Sequence, residues 1–109
     1  MPPRFALFAL ALGLCAGRDS CLAEDDPKLM NYGRHLAQEC TGCHRLDGAS
    51  SRIPSIVGWD ARQFAATMEF YRTGERNNPV MVSVAKSLDA DQIRALAAYY
   101  ASLPKPAKK

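Results

Sequence analysis

The sequence predicts an all-α domain of one unit. Three observations carry this. Three stretches repeat apolar residues at helical spacing, each opened by an aspartate. No stretch alternates apolar and polar residues as a strand would. The 109 residues, 48% of them hydrophobic, suit a single domain.

Residues 1–23 are expected to be a signal peptide rather than part of the fold. Met1-Pro2-Pro3-Arg4 is a positive start, and Phe5 to Ala16 is an apolar run too short to span a membrane. Cys21-Leu22-Ala23 places small residues at −3 and −1 of a cut after Ala23. Neither Cys15 nor Cys21 has the small-residue context of a lipoprotein leader. Removing Arg4, Arg18 and Asp19 lowers the formal charge from +3 to +2 and leaves Cys40 and Cys43 as the remaining cysteines. The domain is then expected over 24–103, with 104–109 a flexible basic tail after Pro104.

Asp26-Pro27 reads as an N-cap followed by a first-turn proline. Leu29, Tyr32, Leu36 and Cys40 follow at helical spacing, so the first helix is expected to run into the cysteine motif. Leu46 to Ser55 is rich in turn residues and reads as loop. Asp60 opens a second helix with Phe64, Met68 and Tyr71 as its stripe, and Gly74 stops it. Glu75 to Pro79 reads as polar loop, and Met81 to Lys86 as a short apolar segment of undecided form. Asp89 with Gln92 makes a capping box for the last helix, whose face is Ile93, Leu96, Ala97, Tyr100 and Leu103.

The motif Cys40-Thr41-Gly42-Cys43-His44 admits four readings. A disulfide over so short a loop would stabilise little. A structural zinc needs four ligands, and only His35 stands nearby. A thioredoxin-like pair would accompany a β-α-β pattern, which is missing. The fourth is covalent haem attachment, for which C-x-x-C-H is the signature. Thiols three apart on a helical turn share a face, and each can bond one porphyrin vinyl group. His44 then lies beneath the iron as proximal ligand. A domain this small struggles to build a core from side chains alone, and an apolar macrocycle would supplement it.

A second axial ligand decides between an open iron for gas or peroxide chemistry and a closed His/Met iron for electron transfer. Met30 lies in the first helix, and Met68 belongs to an apolar stripe where core packing explains it. Met81 follows the loop Arg76-Asn77-Asn78-Pro79, from which an irregular segment could lay a thioether on the other haem face. Met81 is therefore the expected distal ligand, with core packing before the last helix as its plainer alternative.

Together with the leader and the haem motif, several segments match a family: Ile53-Pro54-Ser55-Ile56-Val57-Gly58, Tyr71-Arg72-Thr73-Gly74-Glu75-Arg76, Val80-Met81, Ala85-Lys86-Ser87-Leu88-Asp89 and Ala95-Leu96-Ala97-Ala98-Tyr99-Tyr100. The chain resembles the small bacterial class I c-type cytochromes over nearly all of its length after the leader. Within them it looks closest to the soluble monohaem carriers and to the haem subunits of flavocytochrome c sulfide dehydrogenases. The resemblance implies the class I cytochrome c fold, three to four helices and loops wrapped around one covalently bound haem c. It implies thioethers at Cys40 and Cys43, iron bonds from His44 and Met81, and a Pro54 carbonyl that orients the His44 ring. Gly33 and the pair Tyr99-Tyr100 would mark the crossing of the first and last helices. Trp59 stands where the family often has Gln. It either lines the haem or donates its indole N–H to a propionate, with partly exposed packing as the alternative.

The implied function is single-electron transfer in the periplasm between redox protein partners, with no substrate transformed at the iron. The alternative partner is a flavoprotein subunit that oxidises sulfide; a gas-binding haem protein is a third reading and requires that Met81 not ligate. Arg45, Arg52, Arg62, Arg76 and Lys86 could steer an acidic partner to the haem edge, or simply be solvated. Scattered basic residues without an aromatic platform argue against nucleic acid, and no apolar run is long enough for a membrane span.

Overall fold

The computed structural model describes residues 26–48 and 52–106. The expected leader with Cys15 and Cys21, and the last three residues of the expected tail, lie outside the described residues. The chain runs α1 (Pro27–Leu36), a single 3₁₀ turn (Ala37–Glu39), α2 (Ala61–Thr73), α3 (Pro79–Lys86) and α4 (Ala90–Ser102). Among the described residues there is no strand.

Each helix begins where a side chain can accept from its free N–H groups. The Asp26 carboxylate accepts from Lys28 N at 3.0 Å, and Asp60 accepts from Gln63 N at 3.0 Å. Asp89 accepts from Gln92 N at 2.8 Å, while the Gln92 side chain accepts from Asp89 N at 2.9 Å, a complete capping box. Gly74 closes α2 at φ 80°, the left-handed region that a glycine enters without a Cβ penalty.

Three expectations are corrected. The segment after Asn78 is the helix α3, not a loop leading to an irregular stretch. Asn78-Pro79 is a cap-and-proline pair like Asp26-Pro27, and the Asn78 side chain accepts from Val80 N and Met81 N, both at 3.1 Å. The first α-helix does not reach the cysteines. It tightens at Ala37–Glu39, and the turn continues through Thr41 N to Ala37 O at 3.1 Å and His44 N to Cys40 O at 2.8 Å. Thr41 and Gly42 are weak helix formers, and the Thr41 hydroxyl is drawn to Gln38 O at 3.2 Å. Finally, Tyr32 is not on the packed face but 42% exposed; Gly33 and Ala37 are the buried residues there.

Helices α1 and α2 both pack on α4, and α3 packs on α2. The inner face of α4, from Ile93 through Leu96 and Ala97 to Tyr100, meets Phe64 and Met68 of α2 and Ile56 and Val57 of the loop before it. The Tyr100 ring stacks on Phe64 with centroids 5.6 Å apart, and Tyr99 meets it edge-on at 5.4 Å. Such pairs contribute roughly 0.5–1.5 kcal/mol beyond burial. Of the large side chains among the described residues, only Tyr100 and Leu96 fall below 2% exposure.

Candidate haem cleft

The elements leave an apolar cleft of about 300 Å³. The cysteine motif, the loop carrying Pro54 to Trp59, and helices α2, α3 and α4 border it. All six residues singled out from the sequence (Cys40, Cys43, His44, Pro54, Trp59 and Met81) line this one space. They come from 41 positions of separation along the chain at most, yet only the fold brings the last of them to the first.

The 3₁₀ turn carries Cys40 into the packed interior, half-buried, and leaves Cys43 exposed; both thiols are free of disulfide. Burial pushes the Cys40 thiol above its ordinary range; the Tyr100 hydroxyl opposes this, and the charges of Glu39 and Cys43 add to it. The His44 ring is fixed by its Nδ1, 2.7 Å from the carbonyl oxygen of Pro54. A carbonyl can only accept, so Nδ1 bears the hydrogen, and in the neutral ring it is then Nε2 that carries the lone pair. This is the tautomer a metal-binding histidine requires.

Met81 sits in the first turn of α3, half-buried, with its own backbone N–H taken by the Asn78 cap. Met68 also borders the cleft but is 6% exposed within the core, while Met30 is not among the lining residues. Trp59 lines the cleft with its indole N–H donated to Ser55 O at 3.1 Å.

Tyr71 and Arg76, to which no sequence motif gives a joint role, both border the cleft. The Arg76 guanidinium carbon lies 5.0 Å from the Tyr71 ring centroid, a cation–π contact that folds the chain back across the end of α2. The signal was Gly74 between them, which reverses the chain and returns Arg76 N to Phe70 O at 3.1 Å. Of the residues read as a docking patch, Arg45 is paired with Asp47 at 2.8 Å, both exposed. Such a surface pair contributes about 0–1 kcal/mol.

The residues fit a covalent haem. Among the described residues no three His, Cys, Asp or Glu side chains come together as a metal site. What the cleft offers instead is apolar walls, two thiols on one turn, an imidazole with its outer nitrogen engaged, and a thioether.

No protein-family model matches the chain. The cytochrome subunit of sulfide dehydrogenase of Chlorobaculum tepidum is 34% identical over 80 residues, covering 72% of this chain and 73% of that protein. The thiosulfate dehydrogenase electron acceptor of Thiomonas intermedia is 37% identical over 76 residues, but these span only 35% of its length. Reduced recombinant cytochrome c4 from Pseudomonas stutzeri shares the fold with a TM-score of 0.65 at 29% identity, over 72% of this chain and 50% of that one. This chain thus spans about a third to a half of those two longer proteins. With the motif, the four helices and these relatives in agreement, the chain belongs to the bacterial class I c-type cytochromes, electron-transfer proteins with covalently bound haem c.

Proposed function

We propose that this chain is an exported, periplasmic single-electron carrier in which Cys40 and Cys43 hold the haem by thioethers and His44 and Met81 hold its iron. The bound haem supplies reversible one-electron chemistry. The chain's own work is to bind it, orient it and exclude water. The observation that carries this reading is the His44–Pro54 contact at 2.7 Å, which commits Nδ1 and frees Nε2, in a cleft that also receives the Met81 side chain. Apolar walls and a thioether ligand both favour the ferrous state, raising the potential. Among the described residues no helix is long and apolar enough to cross a membrane.

The visible spectrum of the purified ferric protein tests the ligand set. The weak sulfur-ligation band at the red end is expected in the parent and absent from Met81→Ala. Rapid carbon monoxide binding by the parent ferrous protein at neutral pH would instead make the iron open and favour gas binding.

A second reading has one specific support. The relative that this chain covers by 73% is named as a subunit of sulfide dehydrogenase. On that reading the haem takes electrons from a flavoprotein partner, and a flavin-bearing chain co-purifies with it. Recovery of a free monomer that passes electrons directly to another redox protein would favour the carrier.

A further inference from the structure

Tyr100 is sealed from solvent, and its hydroxyl makes no well-formed hydrogen bond among the described residues. Native chains seldom keep such a group without a reason. The ring cannot swing away to solvent, because Phe64 stacks on it at 5.6 Å and Tyr99 abuts it at 5.4 Å. Cys40 packs against the core cluster that contains Tyr100 and borders the cleft, and it lies near enough to the phenol to act on it.

Thioether formation changes what that sulfur can do. A free thiol carries a hydrogen and is weak as both donor and acceptor. A sulfur bonded to two carbons has no hydrogen and can only accept. The Tyr100 O–H can only satisfy it by donating. We infer that Tyr100 is a positioning residue for the cofactor, its O–H donating to the thioether sulfur of Cys40 and so favouring the ferrous state. The inference rests on the reading that Cys40 carries a thioether. Its physical basis is electron withdrawal: a donor on the sulfur draws density from the macrocycle edge, and the reduced state has more density to be drawn.

The test uses the haem-loaded parent, Tyr100→Phe and Tyr99→Phe. The pyridine haemochrome spectrum first counts the thioethers in each. The ferrous-to-ferric ratio is then read at the parent's midpoint potential. Tyr100→Phe is expected to lower that ratio about threefold, the scale of one modest hydrogen bond, or roughly 28 mV for one electron. Tyr99→Phe is expected to leave it unchanged. A merely structural hydroxyl would alter melting but not the ratio. An unchanged or raised ratio in Tyr100→Phe, with both thioethers intact, overturns the inference. A parent holding its haem through Cys43 alone overturns the underlying site reading instead. Should Tyr100→Phe fail to assemble, proton NMR of the ferrous parent decides. A slowly exchanging Tyr100 hydroxyl proton supports the bond, and its absence refutes it.

Discussion

Gly33 of α1 packs directly on the Ala95 backbone of α4. A Cβ placed on Gly33 would lie 2.7 Å from the Tyr99 Cβ and 2.8 Å from the Ala95 carbonyl carbon. These are atoms fixed by the helix itself, which cannot rotate aside as a side-chain tip can. The crossing sets how α4 presents Leu96 and Tyr100 to the rest of the core.

Gly33→Ala should therefore destabilise the protein by about 1–3 kcal/mol, the usual cost of overpacking. The intrinsic helix preference of alanine, worth roughly 1 kcal/mol over glycine, opposes this and should lose. Denaturant unfolding of the loaded protein measures it. Greater stability in the variant would mean that the two helices can move apart freely.

Asn78→Ala should cost roughly 1 kcal/mol through loss of the α3 cap. It should also loosen the turn that carries Met81, because the Asn78 side chain binds both Val80 N and Met81 N. Faster carbon monoxide binding by the ferrous variant is the expected sign. Equal rates in variant and parent would separate the cap from the thioether.

Met68→Ala should act differently from Met81→Ala. Met68 is 6% exposed on α2, inside the cluster with Phe64 and Leu96. Truncation there should cost about 2–5 kcal/mol while the red-end sulfur band persists. Loss of the band with stability intact would transfer the ligand role from Met81 to Met68.

Helices α2 and α4 were legible in the sequence because their signals are local: an aspartate cap, a regular stripe, and glycine or proline at the end. The helix α3 was not. Its eight residues, PVMVSVAK, are apolar nearly all round, so no periodicity distinguishes a face. The caps at Asn78 and Pro79 did carry the signal. The error at Tyr32 has another cause. Hydropathy favours the large residue, whereas close helix crossing selects the small one beside it, Gly33. The cysteine motif was readable because its chemistry is contiguous. The Tyr71–Arg76 contact and the bond from Trp59 to Ser55 depend on how the chain reverses at Gly74 and turns before α2.

Tyr100 should also give the protein an alkaline limit. Burial foremost, with the Cys40 charge behind it, holds the phenol well above its ordinary value of 10.0. In the thioether-bonded protein that charge is gone, but the burial remains. Above about pH 10 an unfolded chain releases this proton while the folded chain keeps it. The folded state then binds more protons than the unfolded, and stability must fall as pH rises. Below pH 10 both states hold the proton, and this contribution is fully present and flat. Above it the slope approaches roughly 1.4 kcal/mol per pH unit for one proton. Melting of the loaded parent between pH 9 and 12 should show the decline, and Tyr100→Phe should be flatter over the same range. An equal decline in both proteins would assign the alkaline limit to another group and leave Tyr100 without part in it.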